Sequence, residues 1–346
     1  MSTKRPTQAD VARVAGVSRA TVSYVLNDQG GQLIPISPET RRRVLDAVSD
    51  LGYRVDARAQ SLRSGDTRTI GVLLPMYENP FFWEILVGIS REAEASGYSV
   101  LLSHSAITPE QEDQSIRDLA EQRVDGLLLL AHLKELPEGA KRQLRESQHP
   151  VVQLTDTPSE FDYVRQGYGE GARVLMGHLV ELGHTRIAFL HGVASAGQGA
   201  DRMQAYRDVI RESGLDSDES LLVHCGPLMA DAYLAAQALL SRADRPTAIV
   251  TINDLLAMAT IRAAADLGLR VPDDVSVAGF DDIPFASYTV PRLTTVSATP
   301  EQNGRDAVRL LLQRRRDPSL PQQIVVSGWQ LQVRESTGPA PKENRL

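Results

Sequence analysis

With 346 residues, 42% of them hydrophobic and 23% charged, the chain has the length for two or three domains and the composition of an ordinary globular protein. No apolar run reaches the roughly 18–20 residues of a membrane span, and the polar start Met1-Ser2-Thr3-Lys4-Arg5-Pro6 is unlike a signal peptide. The single cysteine, Cys225, excludes an internal disulfide and a cysteine zinc site, so a cytoplasmic address without membrane contact is expected. The net charge of −7 is unevenly spread. Residues 1–65 carry ten Lys and Arg against six Asp and Glu, whereas residues 66–346 carry 27 against 38. A small basic reader of nucleic acid on an acidic body fits that split, as does a solvated basic face.

Thr7 and Asp10 have capping-box spacing, which predicts a helix through Val11, Ala12 and Ala15 that stops at Gly16. Ser18 caps a second helix, with Val22, Val25 and Leu26 turned inward and Asn27 at its end. Ser37-Pro38-Glu39-Thr40 starts a third, with Val44, Leu45, Val48 and Leu51 inward and Gly52 at its end. Helix, tight turn Ala15-Gly16-Val17-Ser18 and helix together read as a helix-turn-helix, whose second helix would enter the major groove. A small helical bundle for protein contacts is the competing reading. Residues 54–66 are short, polar and Arg-bearing, a linker able to turn helical in the right setting.

From Thr69 the texture changes. Buried strands are expected at 70–74, 99–102, 126–130, 151–154, 187–190, 248–251 and 275–280. Helices are expected between them at 84–95, 113–122, 171–182, 200–212, 230–241 and 255–267. That alternation means parallel sheets with helices on both faces. It runs for too long for one sheet, which predicts two lobes with a ligand where strand ends meet a cleft. Enzyme signatures are missing: there is no Walker A sequence, no H-E-x-x-H and no G-x-S-x-G. Gly167-Tyr168-Gly169-Glu170-Gly171 lacks dinucleotide-fingerprint spacing and is expected to open a helix. No catalytic residue, cofactor or metal site is expected.

The segment Ala9-Asp10-Val11-Ala12-Arg13-Val14-Ala15-Gly16-Val17-Ser18-Arg19-Ala20-Thr21-Val22-Ser23-Tyr24-Val25-Leu26-Asn27 resembles the signature of the LacI/GalR family of bacterial transcription regulators. The likeness continues through Leu51-Gly52-Tyr53, Ser61-Leu62-Arg63, Asn79-Pro80-Phe81-Phe82, Arg123-Val124-Asp125-Gly126 and Leu182-Gly183-His184. It ends with Asn253-Asp254, Gly279-Phe280-Asp281-Asp282, Leu293-Thr294-Thr295-Val296 and Val333-Arg334-Glu335-Ser336-Thr337. Nearly the whole chain is covered in order.

The resemblance implies an all-α helix-turn-helix head on a two-lobed, periplasmic-binding-protein-like α/β sensor. It implies a repressor that binds a palindromic operator as a homodimer under a small-molecule effector, expected to be a sugar. The implied division is a head at 1–54, a hinge at 55–66, a sensor at 67–338 and a tail at 339–346. The sensor's lobes would be 67–165 with 295–322, and 166–294 with 323–338. Base reading falls by family match on Arg19, Ala20 and Tyr24, with Ser18 and Thr21 suited to phosphates. Asn27, and Ala59 and Leu62 of the hinge, are further DNA contacts, Leu62 as a minor-groove wedge. Arg19 can hold guanine with a bidentate contact, and Ala20 offers only a methyl group. Tyr24 could instead pack within the head.

In the sensor, Arg202, Asn253 and Asp281 match the family's effector clamp, a donor and acceptor set suited to vicinal hydroxyls. Phe81 and Phe82 would form an apolar wall, or belong to the core. An ion pair between Arg202 and Asp281 across the lobes is the competing reading of the clamp. Gly167-Tyr168 stands where the family usually has Asp-Asn, and Ala298-Thr299 where it usually has Gln-Pro. A sugar receptor without gene control is the other reading of the whole chain.

Overall fold

The computed structural model describes residues 6–26, 36–53, 66–75, 79–105, 109–130, 136–192, 199–215 and 217–341. Contacts divide the chain into two units, one up to Thr67 and one from Arg68.

The first unit contains α1 (Gln8–Ala15), α2 (Arg19–Leu26) and α3 (Pro38–Leu51). Thr7 and Asp10 form the capping box, and Asp10 Oδ2 accepts the Thr7 backbone N–H at 3.0 Å. Gly16 closes α1 at φ 64°, and the position a Cβ would take there is open, so backbone sign and not space demands glycine. Ser37 caps α3 through the Thr40 N–H at 3.2 Å. The core is built from Val11, Ala12, Ala15, Val22, Val25, Val44 and Ala47. Leu45, expected inside, is 47% exposed because Val44 and Ala47 already fill the inward stripe of α3.

The second unit holds two parallel sheets. In the first lobe β1 (Thr69–Pro75), β2 (Ser99–Ser105), β3 (Leu127–Leu129), β4 (Val151–Leu154) and β5 (Asp162–Arg165) are joined by α4 (Pro80–Ala95), α5 (Pro109–Ala120) and α6 (Glu138–Ser147). In the second, β6 (Ile187–His191), β7 (Leu222–His224), β8 (Ala248–Thr251) and β9 (Ser276–Ala278) alternate with α7 (Tyr168–Glu181), α8 (Ala200–Glu212), α9 (Met229–Leu240) and α10 (Asp254–Asp266). The chain then passes through β10 (Thr295–Ser297), α11 (Pro300–Arg316), β11 (Ile324–Val326) and β12 (Gln330–Gln332).

Helix α11 returns to the first lobe and lies on α4. A Cβ at Gly88 would stand 2.0 Å from the Glu301 carbonyl oxygen, and one at Gly304 would stand 2.2 Å from that of Ile85. The two glycines therefore let the helix backbones touch. Strand β11 pairs in parallel with β5 and forms the outer strand of the six-stranded first sheet, while β12 pairs antiparallel with β10. The expected lobe bounds are corrected accordingly: 323–326 belong to the first lobe and the chain changes lobe after Val326, while 295–297, expected in the first lobe, lie with the second through Val296 in its core. Backbone pairing, invisible in a short Ile-Val-Val run, decides it. The chain crosses between lobes at 166–167, 298–299 and 327–329.

Candidate functional site

In the head, α2 buries Val22 and Val25, which leaves Arg19, Ala20 and Tyr24 exposed on its opposite side. Tyr24 is 50% exposed, so it is not a packing residue of the head. Ser18 Oγ accepts the Thr21 N–H at 3.1 Å and lies 2.9 Å from the Thr21 hydroxyl. Both hydroxyls thus sit at the positive end of α2, where a phosphate would be favoured. Asn27, Ala59 and Leu62 lie outside the described residues.

In the sensor, residues at the carboxyl ends of β1, β5, β8 and β9 meet at the lobe junction. Asn79, ahead of α4, accepts the Phe81 N–H through Oδ1 at 3.1 Å and donates from Nδ2 to Asp281 Oδ2 at 2.7 Å. This is a hydrogen bond between lobes. Asp281 is buried at φ 111°, with Asp282 following at φ 56°. Such backbone is costly for a non-glycine residue and persists where the surroundings over-determine it. Here they do. The Asp281 N–H donates to the Val296 carbonyl at 3.0 Å, and Arg334 Nη2 donates to Asp282 Oδ1 at 2.6 Å. The buried Asp254 carboxyl accepts the Ile283 N–H at 2.8 Å and the Thr295 hydroxyl at 2.5 Å.

Burial pushes the Asp281 carboxyl up to about 7 against the pull of Arg202 and of the Asn79 hydrogen bond, and Glu84 adds to the rise. Burial, together with the neighbouring Asp281, holds Asp254 well above the usual carboxylate range.

Arg202 is also buried. Its Nη1 donates to the Ile252 carbonyl at 2.6 Å, and its guanidinium carbon lies 4.4 Å from the Tyr168 ring centre and 5.0 Å from that of Phe280. These cation–π contacts fix its plane. No ion pair joins Arg202 to Asp281 among the described residues, so the pair considered from sequence does not form, and both residues belong to the second lobe; stacking and the Ile252 carbonyl hold Arg202 instead. Asn253 is half-buried and caps α10 through the Leu256 N–H at 3.0 Å, which leaves its amide nitrogen as the group able to meet a ligand. Phe81 is packed inside the first-lobe core, and Phe82 lies edge-on to it at 5.5 Å between ring centres.

Several residues at this junction have no sequence signal that would have assigned them. Tyr168 and Trp329 pack with tilted rings 5.6 Å apart, and Phe280 and Trp329 with tilted rings 4.7 Å apart. Asp156 accepts the backbone N–H groups of Gln166 and Gly167, each at 2.7 Å, and that of Tyr168, and so caps α7 from a neighbouring loop. Only the departure at Gly167-Tyr168 hinted that this corner was special.

Residues 7–56 match the family described as bacterial regulatory proteins, lacI family, and residues 176–337 match a periplasmic binding protein-like domain. The HTH-type transcriptional repressor PurR of Photobacterium profundum is 32% identical over 94% of this chain and 97% of its own length. The chain belongs to the LacI family. The family likeness extends to the HTH-type transcriptional regulator DegA of Bacillus subtilis (strain 168), 32% identical over 95% of this chain and 97% of that protein. The operator-bound Lac repressor dimer with the anti-inducer ONPF has a TM-score of 0.84 at 27% identity and covers 97% of this chain and all, 100%, of that one. A transcriptional regulator CelR–cellobiose complex has a TM-score of 0.70 at 31% identity over 96% of this chain and 100% of that one. Like its LacI relatives, the protein is a DNA-binding transcriptional regulator with an effector-binding domain. Among the described residues no helix is long and apolar enough to cross a membrane.

Proposed function

We propose that the protein is a cytoplasmic repressor without enzymatic activity, which binds a two-fold symmetric operator as a homodimer and releases or tightens on it when a sugar-like effector enters between the lobes. Arg19, Ala20 and Tyr24 read bases, with Ser18, Thr21 and Asn27 on the backbone and Ala59 and Leu62 at the operator centre. Arg202, Asn253 and Asp281 hold the effector, with Phe82 as an apolar neighbour and Phe81 as core support. The observation that carries the sensor reading is Asp281: a buried carboxyl on strained backbone, tied to the other lobe by Asn79 and in no ion pair among the described residues. Strain of this kind is retained where a side chain has to be aimed. A cellobiose complex and a relative with bound ribose support a carbohydrate as the effector class.

Dimer formation fits the exposed apolar side chains on both lobes, Trp83 at 58% and Leu102 at 46% on one, Tyr288 at 84% and Val290 at 92% on the other. Ligand and operator then influence each other reciprocally, by a few kcal/mol at most. The deciding experiment is protection mapping of DNA upstream of the protein's own gene, with and without a panel of sugars. A symmetric footprint altered by one sugar is the expected result. A protein that binds sugars in calorimetry but protects no DNA would instead be a receptor.

A further inference from the structure

Six buried side-chain polar atoms in the described residues have no hydrogen-bond partner, and three of them converge on one ring. They are Arg202 Nε, Gln166 Nε2 and Trp329 Nε1. Tyr168 touches the residue behind each: its ring stacks on the Arg202 guanidinium at 4.4 Å and packs tilted against the Trp329 indole at 5.6 Å, and its hydroxyl donates to Gln166 Oε1 at 3.0 Å. Arg202 and Gln166 are 8% and 3% exposed, so bulk solvent does not reach these side chains freely.

All three atoms are nitrogen donors. A buried donor without an acceptor is costly, and a group of them on one corner is seldom tolerated without a purpose. Arg202 uses only Nη1, on the Ile252 carbonyl, so the Nε edge of its guanidinium is unfilled. That edge is one side of the planar fork that grips a carboxylate with two parallel hydrogen bonds. The carboxylate nearest in charge, Asp281, is engaged by Asn79 and makes no ion pair with Arg202. Asp156, a further acid of this corner, already accepts the backbone N–H groups of residues 166–168. Arg202 Nε, Gln166 Nε2 and Trp329 Nε1 are thus left without an acceptor, although Asp201 and Glu84 add negative charge nearby. Gln166 and Trp329 lie on two of the three crossings between lobes, so the missing acceptors belong at the hinge side of the junction.

We infer that the effector is an acidic sugar, a polyhydroxylated carboxylate whose carboxyl group pairs with the Nε edge of Arg202 while its neighbouring oxygens accept from Gln166 and Trp329 over the Tyr168 ring. The inference rests on the clamp reading of Arg202, Asn253 and Asp281 and adds the charge of the ligand. Hydroxyls meet Asp281 and Asn253, and the carboxylate turns toward the hinge.

The test is calorimetry on the full-length protein with matched probes: glucose, gluconate and glucuronate, then galactose, galactonate and galacturonate. At least one acid should bind tenfold or more tightly than its parent sugar. Arg202→Lys, which keeps the charge and loses the fork, should weaken that acid at least tenfold. Because Arg202 also holds the Ile252 carbonyl, Gln166→Glu is the second variant. It keeps the acceptor for the Tyr168 hydroxyl and replaces the unpartnered donor by an oxygen. It should weaken the acid at least tenfold while weakening the neutral parent sugar much less, a difference that a loss of stability would not produce. If neutral sugars bind and their acids bind no better, this inference falls and the clamp stands. If no probe binds in either class, both fall. An acid that binds Gln166→Glu as tightly as wild type also overturns it.

Discussion

Asn79 and Asp281 are 202 residues apart in sequence and 2.7 Å apart across the lobe junction, amide nitrogen to carboxylate oxygen. The same amide caps α4 through its oxygen, so one side chain sets the start of a first-lobe helix and the position of a second-lobe acid. The substitution Asn79→Asp keeps the cap and places a second carboxyl against Asp281. Like charges at that distance disfavour ionisation of both. The variant should lose a few degrees of unfolding midpoint at pH 8 and much less at pH 5, where the pair can hold a proton. Scanning calorimetry at the two pH values checks it, and an equal loss at both would assign the effect to the cap.

Asp281 itself makes stability depend on pH in a defined direction. Its carboxyl is raised from 3.8 to about 7 in the folded protein, so the folded state binds the proton more tightly than the unfolded state. The stability associated with it is full below about pH 4 and is lost as pH rises through about 7. Asp281→Asn should flatten part of that fall, leaving the share due to Asp254. Urea unfolding of wild type and variant at pH 5 and pH 8 measures it. A larger fall in the variant than in wild type would mean that Asp281 is ionised and well paired when folded.

For the head, Arg19→Ala should weaken operator binding by about 1–3 kcal/mol and relax preference at one base of each half-site. Binding to random DNA should change little, and affinity on both should fall steeply with salt. Fluorescence anisotropy on operator variants at two salt concentrations separates the cases, because a phosphate contact would weaken both DNAs alike.

Local signals made the framework legible. Thr7 with Asp10, Ser37 with Pro38, and Gly16 act within a few residues, and each does in the structure what its spacing suggests. Most of the sensor's strands and helices followed from apolar runs in the same way, but β5, β7, α6 and α11 were not among them. Helix α4 begins four residues earlier than the apolar pattern from Glu84 suggested, because Asn79 and Pro80 start it regardless of what the first turn buries. Long-range pairing was not legible: Ile324–Val326 is half-exposed and short, and only its hydrogen bonds to β5 place it. At the junction Arg202, Asn253 and Asp281 were picked out by motif, but Gln166 and Trp329 were not. Their distinction is a missing partner, and that depends on what three distant loops bring alongside. Arg202 shows the same limit, since its rings come from Tyr168 and Phe280 on either side of it in sequence.

The shelf beneath Asp281 gives the last prediction. Asp254 is fully buried, its carboxyl is held well above the usual range by burial, and two groups donate to it, the Ile283 N–H and the Thr295 hydroxyl. The Thr295 oxygen in turn accepts the Asp282 N–H at 3.3 Å, so the acid, the hydroxyl and the strained turn form one chain of hydrogen bonds. Burial favours the uncharged form of that carboxyl, and an amide is the nearest mimic of that form in shape and charge. In Asp254→Asn the new oxygen keeps the Ile283 N–H, and the new NH2 can donate to the Thr295 oxygen once that hydroxyl turns. The cost should be below about 1 kcal/mol, the net worth of one ordinary hydrogen bond. Asp254→Ala strands both donors and releases the turn, at about 2–6 kcal/mol for two unsatisfied buried groups. Effector affinity should follow the same order, because Asp281 is aimed from that turn. Denaturant unfolding and calorimetry on the two variants test it together. An asparagine as damaging as alanine would mean that Asp254 is ionised where it stands, and that its charge, not its shape, holds Asp281 in place.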